Sequence, residues 1–256
     1  MEWRFSSGFN YFCSFGKLRP NLKNLVIIPT YNEKENIERM VHKVFSLNRD
    51  FHLLIVDDGS PDGTAAIVKG LQEKYAGKLH IEEREGKLGL GTAYLHGFRW
   101  GLAKGYEYLF EMDADFSHNP DDLERLLDAC EKGADLSVGS RYVKGGKVAN
   151  WDRKRLLLSF FASFYVRMIL WIGIRDTTAG FKCYNRRVLE AINFDKVTYK
   201  GYAFQICMKY AALQKGFKIT EVPITFIDRE FGTSKMSTSI FKEAIFGVWK
   251  MRFTKF

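Results

Sequence analysis

Cysteine is scarce and unpatterned in this chain of 256 residues: Cys13, Cys130, Cys183 and Cys207 form no CxxC pair and no short even spacing. That scatter excludes a disulfide framework and a zinc knuckle, and it leaves reduced thiols in a cytosolic setting as the expectation. The five histidines include no HExxH and no pair at helical ligand spacing, which argues against a zinc hydrolase. Residues 1–21 lack the continuous apolar core and small-residue cleavage site of a signal peptide, so residues 1–22 read as a loose extension. Membrane spanning requires roughly 20 apolar residues in a row, and no such run occurs without a charge. The nearest approach, residues 156–174, carries Arg167 near its middle, where an arginine at a bilayer centre costs about 2.5–3.5 kcal/mol. Ser159, Ser163 and Arg167 recur every fourth residue and align as a narrow polar stripe. This segment reads as a helix buried in protein or lying in a membrane interface, with Arg153, Lys154 and Arg155 at its entrance.

What is present suits one large folded domain: 46% of residues are hydrophobic and 15% aromatic. The formal charge of +9 is unevenly placed. Residues 1–150 hold 20 Lys+Arg against 22 Asp+Glu, and residues 151–256 hold 19 against 8, giving −2 and +11. A basic half suits nucleic acid, anionic lipid or phosphorylated substrates, and composition does not choose among them.

From residue 25 short apolar runs alternate with helix-like stretches. Segments 25–29, 52–57, 79–83, 106–112 and 134–139 read as buried strands, with helices over 36–46, 62–75, 91–104 and 120–131. That alternation predicts an α/β fold with a mostly parallel, Rossmann-like sheet and helices on both faces. Beyond Arg141 it weakens into a Gly/Lys loop at 144–147, the apolar helix, a mixed region to Phe217, a strand over 219–227 and an amphipathic helix over 240–256. Within the last, Phe241, Ile245, Val248, Trp249 and Phe253 share one apolar sector flanked by Lys242, Lys250, Arg252 and Lys255.

In such sheets ligands sit beyond the carboxyl ends of strands. The residues there are Pro29-Thr30-Tyr31-Asn32-Glu33 after the first strand, Asp57 through Thr64 after the second, and Asp113-Ala114-Asp115 after the fourth. Asp113 and Asp115 can face one Mg²⁺ or Mn²⁺ whose other positions are filled by substrate phosphate oxygens. The bland account of the pair is helix-entry chemistry before Pro120. Asp57 and Asp58 suit hydrogen bonds from a base or ribose, Tyr31 and Glu33 suit a base, and Asp62 reads as a helix N-cap. Lys87 through Ala93 begins like a dinucleotide loop, but Tyr94 stands where the third glycine belongs, which argues against hydride transfer. Its glycines permit close backbone approach to a ligand, and Lys87 can reach a phosphate. Arg141, Arg153, Arg229 and Lys235 all fall in loops and together suit phosphate binding.

The combined motifs resemble the family 2 nucleotide-sugar glycosyltransferases of the GT-A fold, and within them the polyprenyl- or dolichyl-phosphate mannose synthases. The resemblance runs from Val26 to about Lys250. The Pro29, Asp57 and Asp113 motifs are shared broadly, whereas Lys87 through Ala93, Asp176 through Lys182 and Arg229 through Lys235 mark the lipid-phosphate enzymes. It implies a catalytic domain over 23–237 followed by an amphipathic helix. Pro29, Tyr31, Glu33 and Asp57 are implied to hold the nucleotide, with Asp58, Lys87 and Ala114 beside them. Asp113 and Asp115 are implied to bind metal and diphosphate, and Arg141, Arg153, Arg229 and Lys235 the diphosphate or the acceptor phosphate. Asp115, Arg229 and Lys235 are the expected catalytic set. Many relatives carry Gln where this chain has Ser117. The implied reaction moves mannose from GDP-mannose to a polyprenyl or dolichyl phosphate at the cytosolic face of a membrane, with a membrane-anchoring partner subunit in some relatives. UDP-glucose is the rival donor. A non-catalytic basic module is the rival of another class, and strand-end carboxylates disfavour nucleic acid as its partner.

Overall fold

The computed structural model describes residues 23–228 and residues 238–256, the side chains of the latter from Phe246 onward. The expected roles of residues 1–22, Arg229 and Lys235, and of Phe241, Lys242 and Ile245, lie outside the described residues.

Seven strands form one sheet: β1 (Asn24–Thr30), β2 (Phe51–Asp57), β3 (Leu79–Glu83), β4 (Tyr108–Glu111), β5 (Leu136–Ser140), β7 (Lys182–Asn185) and β8 (Ile219–Pro223), in the order β3-β2-β1-β4-β7-β5-β8. Only β7 runs antiparallel, pairing with β4 and β5 on its two sides. The near-continuous apolar strands are those of a sheet buried on both faces. In β1, Leu25 and Ile27 enter one core and Val26 and Ile28 the other. Helices α1 (Ile37–Phe45), α2 (Thr64–Leu71) and α4 (Asp122–Glu131) cover one face. The other is covered by α3 (Leu90–Lys104), α5 (Arg153–Leu170), α6 (Arg186–Ala191), α7 (Tyr202–Gln214) and α8 (Thr238–Phe253).

The first half follows the sequence pattern closely, and the second departs from it. The expected strand at 219–227 is two: β8 joins the main sheet, while β9 (Thr225–Ile227) pairs with β6 (Lys147–Ala149) in a separate ribbon. The mixed region holds β7 and α7, and α7 is buried almost all round.

The apolar helix is inside out. Ser163, Val166 and Leu170 of α5 are buried, whereas Leu157, Phe161, Phe164 and Met168 stand at least half exposed and Trp171 just beyond is 84% exposed. The polar stripe thus faces protein and the apolar side faces outward; among the described residues, Ser163 Oγ and Arg167 Nε have no hydrogen-bond partner. Packed beside it, α8 buries Val248 and Met251 and exposes Phe246, Trp249 and Phe253. Its expected single sector is therefore split, with Val248 inward. No helix among the described residues is long and apolar enough to cross a membrane.

Candidate active site

Strand β1 lies between β2 and β4, so the chain runs one way from β1 through β2 to β3 and then crosses back to β4, which opens a crevice at the carboxyl end of β1. Strand β4 stops at Glu111 opposite Ile27, and β1 outruns it by Ile28, Pro29 and Thr30. The loop carrying Asp113, Ala114 and Asp115 fills that step beside the loop that follows β1.

The loops after β1 and β2 are knitted together. Consecutive backbone amides of Asn32, Glu33 and Lys34 donate to Ser60 Oγ at 3.0 Å, Thr64 Oγ1 at 3.1 Å and Asp62 Oδ2 at 3.1 Å. Asn32 adopts a left-handed φ of 57°, which turns the chain so that this is possible. Asp57 is buried and accepts from Thr30 Oγ1 at 2.7 Å, Ser60 N at 2.8 Å and Ser60 Oγ at 2.6 Å. Asp62 does more than cap a helix: Gly63 holds the N-cap position, and the Asp62 carboxylate bridges Thr64 and the β1 loop. Burial pushes its carboxyl up, but the hydrogen bonds from Thr64 and Lys34 bring it below the usual range. Asp58 is buried too and receives Arg84 Nε at 2.7 Å and Leu88 N at 3.3 Å, which fixes the loop bearing Lys87. Lys87 Nζ lies 5.0 Å over the Tyr31 ring, so the expected base and phosphate residues do converge.

The glycines after Lys87 serve packing. Gly91 N donates to Lys200 O at 2.9 Å, and a Cβ on Gly91 would lie 2.4 Å from Tyr199 O. Their close approach in the structure is to residues 199–204.

At the β4 end, Asp113 is partly exposed and Asp115 is buried, accepting Ser117 N at 3.1 Å. Phe116, between them and His118, holds φ at 58°. The Tyr94 hydroxyl donates to Asp113 Oδ1 at 3.3 Å, and Asp113 N donates to His118 Nδ1 at 3.3 Å. His118 is buried against Phe181; burial lowers it to about 4, which suits a neutral ring accepting that amide. These donors fit a hard divalent cation: two carboxylates at a strand end supply oxygen, while His118 Nδ1 is already engaged. Among the described residues no group of three or more His, Cys, Asp or Glu gathers as a candidate metal site.

The Arg141 side chain, expected at a phosphate, is buried beside Asp176. Its guanidinium grips Asp176 through Nε and Nη2, both at 2.7 Å, and Nη2 also reaches Thr178 at 2.8 Å. Burial pushes the Asp176 carboxyl up, and the adjoining Arg141 charge and hydrogen bonds carry it below the usual value of 3.8. Arg141 therefore holds the 176–180 loop. Arg153 is exposed at the first turn of α5. Arg155, which the sequence marks only as a neighbour, lies 4.1 Å over Trp151 and pairs with Asp228 at 2.7 Å.

Sequence reasoning also missed a fully buried polar layer beneath the β4 loop. Glu111 pairs with Lys182 at 3.0 Å and accepts the Tyr184 hydroxyl at 2.7 Å; Lys182 also reaches Gln205, and Lys209 donates to Ala179 O at 2.7 Å. In the sequence Glu111 stands beside the Asp113 motif and Lys182 closes the Asp176 through Lys182 segment, while Lys209 lies in no motif.

Comparison with known proteins decides the class. Residues 25–192 match the model of glycosyl transferase family 2. The chain belongs to that family. It is 52% identical over 237 residues to a polyprenol monophosphomannose synthase of Mycolicibacterium smegmatis, covering 92% of this chain and 89% of that one. It is 44% identical over 229 residues to an undecaprenyl-phosphate mannosyltransferase of Micrococcus luteus, covering 89% and 93%. Among solved structures it resembles a mannosyltransferase of Pyrobaculum calidifontis in complex with GDP-Man and Mn²⁺, with a TM-score of 0.54 and 16% identity over 92% of this chain and 70% of that one. The family 2 assignment agrees with the fold, whose parallel sheet and switch-point crevice are those of GT-A enzymes.

Proposed function

We propose that this family 2 enzyme transfers mannose from GDP-mannose to the phosphate of a polyprenyl or dolichyl lipid, with inversion and with a divalent cation. The observation that carries this is the paired Asp113 and Asp115 at the switch point, beside the knitted loops of Tyr31, Glu33, Asp57 and Asp58. The names of relatives 52% and 44% identical over most of the chain support the sugar and the lipid phosphate.

In this reading Pro29, Tyr31, Glu33 and Asp57 shape the nucleotide site, and Lys87 beside Tyr31 brings positive charge to the diphosphate. Asp113 and Asp115 hold Mg²⁺ or Mn²⁺, which when bound neutralises charge on the departing diphosphate. Arg153 and Arg155 at the start of α5, with Arg229 and Lys235, offer cations to the acceptor phosphate, and Arg141 acts by holding Asp176 in place. A lipid phosphate is ionised near neutral pH, so the site requires no general base. Attack in one step from the face opposite the leaving group gives a β-linked product from an α-linked donor.

The exposed apolar sides of α5 and α8 bring the enzyme to an acceptor whose tail stays in the bilayer, as a peripheral protein on the cytosolic face. A membrane-anchoring subunit is the alternative cover for the same surface. A donor screen with purified protein and a short polyprenyl phosphate tests the reading. GDP-mannose should give lipid-linked sugar in the presence of Mn²⁺, and turnover restricted to UDP-glucose would replace the mannosyl reading.

A further inference from the structure

We infer that Tyr94 is a positioning residue for the metal: its hydroxyl fixes the Asp113 carboxylate so that the second oxygen is presented to the cation. This rests on the assignment of Asp113 proposed above.

Tyr94 lies on α3, outside every motif piece expected to touch substrate, and its side chain has no exposed surface. A buried tyrosine requires a partner for its hydroxyl. Here that partner is Asp113 Oδ1, at 3.3 Å. The ring packs among aromatic neighbours, stacked on Phe204 with centroids 5.9 Å apart and planes 7° apart, and lying 6.3 Å from Phe98. Such packing leaves the hydroxyl little freedom to follow a moving carboxylate, so the carboxylate must settle on the hydroxyl.

The rest of α3 explains how the ring reaches this place. Gly91, one turn earlier, lets the helix start approach Tyr199 and Phe204. On the sheet side, a Cβ on Gly97 would lie 2.6 Å from Ile27, and one on Gly101 would lie 2.6 Å from Leu109. Glycines along the helix therefore seat it directly on β1 and β4, the two strands that bound the crevice, and Tyr94 reaches from there to the loop after β4. The residue that spoils the dinucleotide pattern has its own task. Oxygen-bound metals depend on outer hydrogen bonds of this kind, whose loss typically costs about 10–100-fold in affinity or activity.

The test is Mn²⁺ binding to the full chain in the presence of GDP, followed by the paramagnetic signal of free Mn²⁺, for wild type, Tyr94→Phe, Tyr184→Phe and Asp113→Asn. Tyr184 is the control because its buried hydroxyl bonds Glu111 in the same core. Metal-free GDP affinity and circular dichroism report whether each variant is folded. Tyr94→Phe should weaken Mn²⁺ binding about 10-fold or more and raise the metal concentration for half-maximal turnover, with most of kcat recovered at high Mn²⁺. Tyr184→Phe should bind Mn²⁺ like wild type. Unchanged affinity in Tyr94→Phe, or equal losses in both tyrosine variants, overturns the inference. Absence of Mn²⁺ binding by wild type, or full binding by Asp113→Asn, overturns the metal assignment instead.

Discussion

Asp115 carries the account at the scale of single residues. Asp115→Asn keeps the shape and the hydrogen bond from Ser117 but removes charge, so transfer should fall to background while the fold persists. Excess chelator should silence the wild type equally; normal turnover in either case contradicts the assignment. Asp176 makes a different kind of prediction. Its partner Arg141 is buried, so Asp176→Asn strands a guanidinium and should cost about 3–5 kcal/mol of stability. Because the folded carboxyl lies below 3.8, its contribution is complete above that value and is lost as pH falls through the lower folded value. The gap in thermal midpoint between wild type and variant should hold from neutral pH down to about 4 and close in stronger acid. A constant gap at every pH would contradict it. The sequence disclosed the carboxylates because two of them two residues apart at a strand end is a local pattern. It did not disclose Arg141's engagement, because Asp176 is distant in the chain and a loop arginine reads the same whether it meets phosphate or carboxylate.

Elements were legible where their apolar period was complete. Strands β1 and β2 are largely apolar runs, and α1 and α4 bury one face each, so local pattern and tertiary role agree. Strand β7 is four residues long with a buried lysine, and α7 is buried nearly all round with Gln205 and Lys209 inside. Neither presents a period, since their polar groups are satisfied by distant partners. The start of α3 shows the same limit: local pattern alone does not reveal that its glycines admit Tyr199 and Phe204. Gly91→Ala should therefore destabilise the protein by about 1–3 kcal/mol through overpacking, measured by denaturant unfolding. A fully stable variant that loses only nucleotide affinity would return Gly91 to the ligand site.

The charge asymmetry takes form at the scale of the molecule. The acidic half supplies the strand-end carboxylates, and the basic half carries α5 and α8 with their outward apolar sides. Anionic lipid adds roughly 1 kcal/mol for each cation near its surface. Flotation with liposomes should thus require anionic lipid, weaken with salt and fall when Phe161, Met168, Trp249 and Phe253 become Ser. These side chains are at least half exposed, so thermal stability should change little. Unaltered flotation, or a collapse in stability, would place that surface inside the protein's own packing or under a partner.

All three scales meet in one chemical claim, that an ionised lipid phosphate displaces the nucleotide diphosphate in a single step. The anomeric configuration of the product made from GDP-mannose and a short polyprenyl phosphate, read by NMR, tests that claim most directly. A β-linked mannosyl phosphate is the predicted result. An α-linked product, or none under Mn²⁺ saturation, would contradict it.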